Sequence, residues 1–514
     1  MIETLTRSVV LIALVAQPVF LTYFLLYNTY TLWLILHAAG RVRRQVAGHF
    51  VEDLDLIDTG DLTRPLTIIV PALNDEATIV DSVNRLMHCD YPRFEVVVIT
   101  DGSSDGTLDR LKQALRLRRT EVPYRAGIRT ARVVAMYQAT VPLPPGVLRL
   151  VVIEKESGGR ADALNAGINA SLSPFFVSLD TDLILDRRAF KELMRVIQED
   201  ARVVAVGGQV GIANGCTIRN GRVVSVELPT TSLPRFQMVE YLRSLVTART
   251  DRNQIRSILV RGGAFALFEK ETVIKAGGYL TPFLDHRVTR QYVGEQTGTV
   301  GEDMEIIVRL QRFVLDKLQN RRIVFLPHPV AWTKVPETLA SLRKQQGQWY
   351  RGLRESLRFH SGLWRPKYGS VGSLSLPSLW LFEYYGPVIE ILGYVSLAFL
   401  LIMEHVLDYP SVGYAYLSTF LLASVGYRAL VNVLAVLVGA FRVRHGLADR
   451  LQGHLLPFSR RREVLILLVY AVLESFGYRQ LTLYWRLRGL WAGKKGWEKF
   501  ARVESRPASA LSHG

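Results

Sequence analysis

The sequence predicts an α/β domain that is inserted between membrane-spanning helices. Between residues 60 and 330, short apolar runs alternate with segments of helical periodicity, which is typical of a mostly parallel sheet covered by helices. Long apolar stretches lie on both sides of this region. Clusters of arginine follow the ends of these stretches, as they do on the cytoplasmic side of membrane proteins. These three observations indicate a membrane-anchored chain with a large cytoplasmic domain.

The composition supports a membrane protein and argues against other classes. The 514 residues are 49% hydrophobic and carry a net charge of +17. A positive charge of this size can attract nucleic acid, but the arginine runs at 41–44 and 460–462 flank apolar segments. We therefore expect a lipid bilayer as a partner and no nucleic acid. The two cysteines, Cys89 and Cys216, are too few for a disulfide framework or a zinc cluster, and they fit reduced thiols in a cytosolic domain.

The first apolar stretch predicts one spanning helix. Residues 9–39 are apolar almost throughout, which exceeds the ~20 residues that cross a bilayer. The stretch is too long for a signal peptide and lacks the basic segment that would precede one. Pro18 is the expected position of a kink. We assign residues 1–45 to this helix and residues 46–335 to the cytoplasmic domain.

Three more apolar spans follow the α/β region, at residues 379–403, 414–440 and 464–484. The loop at 404–411 has no lysine or arginine and is expected outside the membrane. The loop at 441–462 holds six arginines and is expected in the cytoplasm, because positive loops stay on that side. The chain is thus predicted to be a multi-pass protein of the inner (plasma) membrane.

The tail of the chain conflicts with this count of crossings. Its basic character places residues 491–514 in the cytoplasm, whereas four single crossings would place them outside. Glu474, Ser475 and Gly477 interrupt the last apolar stretch, so a re-entrant or interfacial hairpin is the alternative to a crossing helix. Residues 376–490 are assigned to the membrane region, and the tail is expected to be partly disordered.

Five apolar runs in the middle of the chain are predicted to be buried strands, and polar motifs follow several of them. After the first strand, apolar residues at 79, 80, 83, 86 and 87 lie on one face of a helix, for which Asn74 or Asp75 is the expected N-cap. In α/β sheets, ligands bind at the carboxyl ends of the strands. The predicted strands comprise residues 66–72, 94–100, 148–153, 175–179 and 203–209.

Two carboxylates follow the fourth of these strands. Asp180 and Asp182 are two residues apart, and alternate residues of an extended segment point the same way. Two converging carboxylates repel each other unless a cation lies between them, and Mg²⁺ is typically held by one or two carboxylates together with substrate phosphates. The pair therefore predicts a site for Mg²⁺ or Mn²⁺ and a diphosphate. An ordinary acidic loop is the alternative.

Two glycine-containing turns follow other strands. The turn Asp101-Gly102-Ser103 can approach a nucleoside closely, although a plain turn with Asp105 as a helix cap has the same composition. The segment Gly158-Gly159-Arg160 begins a helix, which suits a phosphate group; a solvated arginine on a capped helix is the alternative. No strand is followed by G-x-G-x-x-G, and no P-loop motif occurs, which argues against the common dinucleotide and ATP sites.

Taken together, these stretches resemble the processive, membrane-embedded family 2 glycosyltransferases, which include cellulose, hyaluronan and poly-N-acetylglucosamine synthases. The resemblance runs from about residue 20 to about residue 490, and several motifs in the right order are far more specific than one. The similar segments are Val70-Pro71-Ala72-Leu73-Asn74-Asp75-Glu76, Thr100-Asp101-Gly102-Ser103, Gly159-Arg160-Ala161, Asp180-Thr181-Asp182, Gly263-Ala264-Phe265, Gly277-Gly278-Tyr279, Gly301-Glu302-Asp303, Ala331-Trp332-Thr333-Lys334-Val335-Pro336 and Gln345-Gln346-Gly347-Gln348-Trp349.

The resemblance implies a glycosyltransferase A-type domain that moves a sugar from a UDP-sugar to the hydroxyl of a growing polysaccharide with inversion, coupled to export. It implies that Asp303, beside Glu302, is the general base and that Asp180 and Asp182 bind the metal ion. The residues that it places around the nucleotide sugar are Pro71, Leu73, Asn74, Glu76, Asp101, Gly102, Ser103, Arg160 and Asp180. Those that it places near the acceptor or the diphosphate are Gly263, Ala264, Phe265, Gln345, Gln348, Trp349 and Arg351.

The sequence departs from the family pattern at two positions. Gln348 stands where the family has arginine, and Gly301 stands where it has threonine. The first change removes a cation near the diphosphate, which Arg351 or Arg343 could supply instead. Residues 336–375 are expected to be interfacial amphipathic helices, so Trp349 is either an acceptor platform or a membrane-interface tryptophan.

Other readings of the sequence stay open. A non-processive transferase that acts on a lipid or a short glycan is one, because only about four spans are visible, few for an export channel. A catalytically silent nucleotide-binding subunit is another, supported only by Gln348. Glu383, Glu390 and Arg428 lie within apolar spans and mark either a glucan path or a structural polar pair. An accessory membrane subunit or a homo-oligomer is also left open.

Overall fold

The central sheet is formed by the apolar runs that the sequence predicts as strands. The computed structural model describes residues 2–48, 63–180, 183–219, 222–247, 265–295, 298–318, 320–407, 412–448 and 461–491. The strands are β1 (Leu66–Ala72), β2 (Phe94–Asp101), β3 (Arg118–Arg119), β4 (Val133–Gln138), β5 (Val147–Lys155), β6 (Phe175–Ser178), β7 (Ile184–Leu185), β8 (Val203–Ile212), β9 (Thr217–Arg219), β10 (Arg222–Ser225), β11 (Ala266–Glu269) and β12 (Arg322–Thr333).

In the described part of the chain, ten strands form one mixed sheet in the order β3-β4-β5-β2-β1-β6-β11-β8-β12-β7. The neighbours β5, β2, β1 and β6 are parallel, and so are β8 and β12. β11 is antiparallel to both β6 and β8, β4 is antiparallel to both β5 and the edge strand β3, and the other edge strand, β7, is antiparallel to β12. All five predicted strands are present, but the sheet is mixed rather than mostly parallel.

The helices of the α/β domain lie on both faces of this sheet and position its loops. On one face, Ile79, Leu111 and Phe190 belong to a buried cluster that includes residues of β1 and β2. On the other face, Leu164 and Ile307 belong to a second such cluster. Strands covered on both faces have continuous apolar sequences, which is why the sequence could predict them.

The N-terminal helix and the helices that follow it along the chain up to residue 359 are α1 (Ile2–Gly48), α2 (Ile79–Met87), α3 (Thr107–Leu115), α4 (Arg160–Ala170), α5 (Ala189–Glu199), α6 (Ser232–Thr247), α7 (Lys270–Lys275), α8 (Arg287–Val293), α9 (Glu302–Lys317) and α10 (Leu339–Phe359).

The predicted N-cap of α2 is wrong, although the helix itself is confirmed. α2 begins at Ile79, and its N-cap residue is Thr78. The main-chain oxygen of Asp75 accepts from the amide of Ile79 at 2.9 Å, and its amide donates to Thr107 Oγ1 at 2.8 Å. Asp75 thus closes a turn ahead of the helix, because its backbone is held by the neighbouring loop.

Helical segments follow α10 and lead into the membrane region. Residues 371–384 form helical turns of mixed α and π type, and π turns also occur between α12 and α13 and between α14 and α15. The remaining helices are α11 (Gly386–Leu407), α12 (Val412–Leu421), α13 (Tyr427–Ala448), α14 (Arg461–Leu473) and α15 (Arg479–Trp491). Within the described residues, four stretches are long and apolar enough to cross a membrane: Leu11–Gly40, Gly386–Met403, Tyr416–Phe441 and Arg461–Gly489.

The contacts of α1 define the direction of its neighbours. Gln17 Nε2 donates to Ser396 Oγ at 3.0 Å, and Tyr30 contacts Ser378 further along α1, so α11 runs antiparallel to α1. Asn28 Nδ2 donates to the main-chain oxygen of Ala423, and residues further along α1 pack on α13. The segment from Ala423 into α13 therefore runs parallel to α1. α1 continues as a helix through Pro18.

The last apolar stretch is broken in its middle. Phe476 and Gly477 have non-helical backbone angles, and Gly477 has a φ of 78°, a conformation that glycine tolerates. Before the break, α14 contacts α6 of the α/β domain, and its Leu467 and Ala471 share a buried cluster with Trp332. After the break, α15 lies against α10, the helix that follows this domain. Both arms of the stretch therefore lie against the part of the chain that carries the site.

A buried ionic cluster lies at the break. Arg479 forms an ion pair with Glu390 of α11, and the guanidinium of Arg428 lies 3.7 Å from the same carboxylate. Glu474 accepts from Asn432 Nδ2 at 2.6 Å and is 3.3 Å from Arg243. Glu390 and Arg428 thus have charged partners within the protein. This agrees with the alternative in which they form a structural polar pair.

Candidate active site

Arg160 joins the carboxylates that the sequence singles out. Its Nε donates to Asp180 Oδ1 at 2.9 Å, and its Nη1 donates to Glu302 at 2.9 Å and to Asp303 at 3.0 Å. Only 8% of the arginine side chain is exposed. Arg160 and Asp303 are 143 positions apart in the sequence. The structure therefore brings the predicted metal ligand Asp180 and the predicted base into one cluster.

Two helix starts create this cluster. Arg160 is the first residue of α4, and Glu302 and Asp303 are the first two residues of α9. Gly159 turns the chain into α4 with a φ of 87°, a value that side chains disfavour. Carboxylates at a helix N-terminus are stabilised by the exposed N–H groups and the helix dipole. The two helices thus direct opposite charges at the end of β6.

The electrostatics of the cluster are suited to proton transfer. Burial raises the pKa of Asp303 to about 7; Arg160 lowers it in part, and the carboxylates of Glu302 and Asp180 add to the increase. Burial likewise raises the pKa of Glu302. Tyr279, whose pKa is raised by burial and then by Asp303, lies close to the same group. A pKa near neutrality is what a general base requires.

The Asp101 carboxylate holds the turn that presents Arg160. Its Oδ1 accepts from the amide of Gly158 at 2.9 Å and from Lys155 Nζ at 2.5 Å, and its Oδ2 accepts from the amide of Gly159 at 2.7 Å. Lys155 is fully buried and also pairs with Asp162 at 2.6 Å. Asp101 thus shapes the glycine turn in this structure, and its predicted contact with uridine stays a prediction.

The loops after β1 and β2 interlock beside Asp101. Asn74, which has a φ of 51°, accepts from the amide of Ser104 at 2.9 Å and donates its own amide to Ser103 Oγ at 3.2 Å. Glu76 accepts from the amide of Gly106 at 3.2 Å. Pro71 is buried in β1, whereas Leu73, Asn74 and Gly102 are exposed. These two loops form one continuous edge next to the Arg160 cluster.

α10 brings the predicted acceptor residues to the start of α9. Residues three and four apart share a helix face, so Gln345, Gln348 and Trp349 lie on the face that also carries Gly352 and Glu355. Gly352 touches Gly301, the residue that precedes Glu302. Trp349 is 37% exposed. Arg351, the predicted substitute for the missing family arginine, forms an ion pair with Glu355 at 3.0 Å.

The residues present fit a divalent cation. Three carboxylates surround one guanidinium, which leaves a net formal charge of −2, and the buried Nη2 of Arg160 has no hydrogen-bond partner among the described residues. The first property suits a cation and the second suits an anionic oxygen of a diphosphate. Among the described residues, no three acidic, histidine or cysteine side chains form a ready-made metal centre, so substrate phosphates would complete the coordination.

Some predicted residues lie elsewhere or outside the described part of the chain. Phe265 is fully buried in the core, where its ring packs against Phe190, so its side chain does not reach the cluster. Asp182, Gly263 and Ala264 fall outside the described residues. Of the two predicted metal ligands, the structure therefore describes only Asp180, and the pairing with Asp182 stays a prediction.

Sequence reasoning missed Lys155 and Glu355, and it noted Tyr279 only as part of the family-like segment Gly277-Gly278-Tyr279. Lys155 ends the apolar run of β5 and is the register partner of Asp101 at the end of β2. A lysine at the end of a buried strand, next to an acidic strand end, was a detectable signal. The contacts of Glu355 with Thr299 and Val300 had no such local signal, because these residues lie on a distant segment.

The chain belongs to a glycosyltransferase family. The sequence model of the family described as "Glycosyltransferase like family 2" matches residues 64–352, more than half of the chain. This match covers Arg160, Asp180, Glu302 and Asp303, and it ends at Gly352 on α10. The predicted fold class and family are thereby confirmed.

Relatives with assigned activities are polysaccharide synthases. A poly-beta-1,6-N-acetyl-D-glucosamine synthase of Staphylococcus aureus (strain COL) is 24% identical over 57% of this chain and 55% of the relative. The synthase of the same name from Staphylococcus epidermidis is 23% identical over 73% of this chain and 74% of the relative. The alignment thus spans just over half of the first relative and about three quarters of the second.

Solved structures also resemble the chain at low identity. A mannosyltransferase from Pyrobaculum calidifontis in complex with GDP-Man and Mn²⁺ matches 82% of this chain and 98% of that protein, with a TM-score of 0.46 and 16% identity. S. aureus TarS in complex with UDP-GlcNAc matches 81% of this chain and 92% of that protein, with a TM-score of 0.35 and 14% identity.

Proposed function

We propose that the protein is an inverting glycosyltransferase that moves a sugar from a UDP-sugar to the hydroxyl of a growing polysaccharide. The observation that carries the proposal is the Arg160 cluster, in which Asp180 and Asp303 contact one guanidinium. The named relatives make poly-N-acetylglucosamine. N-acetylglucosamine is therefore the first sugar to test.

Each residue of the cluster has a separate role in the proposed reaction. Asp303, with a pKa of about 7, accepts the proton of the acceptor hydroxyl as the hydroxyl attacks the anomeric carbon. Arg160 offers its Nη2, which has no partner in the described part of the chain, to an oxygen of the departing diphosphate. Attack from the face opposite the diphosphate inverts the anomeric centre. A divalent cation held by Asp180 and, as the sequence predicts, Asp182 would neutralise charge on the leaving diphosphate.

The membrane arrangement that we propose has three crossings and one re-entrant hairpin. α1, α11 and the unit of α12 and α13 cross in alternating directions, as their contacts with α1 support. α14 enters from the side of the α/β domain and α15 returns to it, since Gly489 lies against Gly347 of α10. The break lies at Phe476 and Gly477, which are exposed, and the neighbouring Glu474, Ser475 and Tyr478 are buried within the protein. This places the catalytic domain and the basic tail together in the cytoplasm, in agreement with the charge of the tail.

A UDP-release assay tests the function. Full-length protein in detergent is given UDP-N-acetylglucosamine with Mg²⁺ or Mn²⁺, and both released UDP and product length are measured. We expect UDP release together with long polymer, and we expect Asp303→Asn to reduce the rate by about 10²- to 10⁴-fold.

Asp109→Asn, which neutralises an exposed carboxylate of α3, is the control and should keep the wild-type rate. Short products would indicate a non-processive transferase. Absence of UDP release with every UDP-sugar would overturn the proposal and favour a silent nucleotide-binding subunit. Full activity of Asp303→Asn would remove Asp303 from the role of base.

A further inference from the structure

Hydrogen bonds connect α10 to the segment that precedes the Glu302–Asp303 pair. Glu355 Oε2 accepts from Thr299 Oγ1 at 2.8 Å and from the amide of Val300 at 3.0 Å. Thr299 Oγ1 in turn accepts from the amide of Gly301 at 3.0 Å. Every residue from 299 to 301 is thus tied, directly or through Thr299, to one carboxylate on α10.

Arg351 binds the second oxygen of the Glu355 carboxylate. Its Nε donates to Glu355 Oε1 at 3.0 Å, and the two side chains are 16% and 21% exposed. An ion pair four residues apart on a helix is stabilising by itself only to a small degree. Here it also orients Glu355, because the remaining carboxylate oxygen is then directed at the Thr299–Val300 backbone.

The backbones approach closely at the same place. A Cβ atom built on Gly301 would lie 2.8 Å from the Cα atom of Gly352. No side chain separates α10 from the start of α9, so a shift of α10 displaces Glu302 and Asp303 directly. One turn further along α9, Glu305 contacts His360 at the end of α10 at 3.0 Å, which gives a second attachment.

We propose that Glu355 is a positioning residue for the general base, supported by Arg351. The inference rests on the proposed function of Asp303 and assigns Arg351 to Glu355 rather than to the diphosphate. Glu355 touches neither Asp303 nor the donor-side residue Asp180, so its loss affects the orientation of the base and leaves donor binding intact. Misplacement of a catalytic group by about 1 Å can cost about 10²-fold in rate.

The test separates the catalytic rate from donor binding. For Glu355→Ala we expect kcat to fall at least about tenfold, while the KM for the UDP-sugar and the calorimetric Kd for UDP stay within about twofold. Glu355→Gln should recover part of the rate, because its amide oxygen can still accept from Thr299 and Val300, whereas its NH₂ group cannot accept from Arg351. Glu271→Ala, which removes an exposed pair with Lys275 of the same spacing, is the matched control.

Arg351→Met decides between the two roles of this arginine. A kcat loss with unchanged UDP affinity supports the inference, whereas a tenfold loss of UDP affinity assigns Arg351 to the diphosphate and overturns it. Wild-type kcat in Glu355→Ala also overturns it. If Glu355→Ala yields no UDP-binding protein, Thr299→Val, which removes the hydroxyl that joins Glu355 to Gly301, carries the same test.

Asp303→Asn is measured in parallel to separate this inference from the proposed function. An inactive Asp303→Asn beside an active Glu355→Ala refutes only the positioning role. Absence of UDP release by the wild-type protein refutes the proposed function itself.

Discussion

At the scale of single residues, the state of Asp303 depends on two opposing influences. Burial and the carboxylates of Glu302 and Asp180 raise its pKa, and the guanidinium of Arg160 opposes them. Tyr279 also faces the group. A solvent-exposed aspartate would be ionised throughout the neutral range, whereas Asp303 changes its protonation state within it. Small changes in the cluster should therefore alter the pH dependence of the reaction.

We expect the acidic limb of kcat/KM to have a midpoint near pH 7. The base acts in its deprotonated form, so activity falls as the pH falls through the pKa of Asp303, about tenfold for each unit well below it. Arg160→Met removes the charge that lowers this pKa, so the limb should move to higher pH by about one unit. Initial rates from pH 5.5 to 9 measure this, and a flat wild-type profile would contradict it.

Much of this cluster could be predicted from the sequence, but its partnerships could not. Asp180 follows a strand that the apolar pattern marks, whereas Asp303 was assigned only from the resemblance to the family. Arg160 meets Asp303 only because the chain between them folds around the sheet, which no local pattern encodes. The uridine contact of Asp101 was predicted from its turn and from the resemblance, but neither indicated that its carboxylate would bind the Gly158–Gly159 turn.

At the scale of elements, α10 lies between two close glycine contacts. Gly352 touches Gly301 at the start of α9, and Gly347 lies against Gly489 of α15. Helices approach this closely only where neither carries a side chain. The replacement of the family threonine by Gly301 has a steric reason, because a side chain there would meet the backbone of α10.

Gly301→Thr should therefore impair the enzyme, although it restores the residue of the family pattern. The new Cβ atom would lie 2.8 Å from Gly352 Cα, so α9 or α10 must move, and we expect kcat to fall at least about tenfold. Gly298→Ala is the control in the same segment, since no atom of the described residues, its chain neighbours apart, lies within 4 Å of its Cβ position. Equal rates of Gly301→Thr and wild type would exclude a rigid contact.

At the scale of the whole molecule, the broken last stretch connects the membrane interior with the catalytic domain. Gln480 Nε2 is 3.3 Å from Tyr394 in the middle of α11, and Arg486 Nε donates to Gln346 of α10 at 3.0 Å. The sequence left open whether this stretch crosses the membrane. Apolar content alone could not decide, because a hairpin and a crossing helix of this length bury similar side chains.

Cysteine labelling in intact cells tests the proposed hairpin. In a background that lacks Cys89 and Cys216, we expect a membrane-impermeant maleimide to label Ser411→Cys and not Ser509→Cys. The reason is that three crossings leave the tail on the side of the catalytic domain. Permeabilised cells, in which both cysteines should react, provide the control. Labelling of Ser509→Cys from outside would require a fourth crossing.

The ionic cluster at the break also has a consequence for how the protein is made. Glu474 and Arg479 follow their partners Glu390 and Arg428 in the chain, so the partners are synthesised first. A charged side chain at the centre of a bilayer costs about 2.5–3.5 kcal/mol during insertion by the translocon. In the proposed arrangement, the hairpin of α14 and α15 therefore joins helices that already offer opposite charges, which offsets part of this cost.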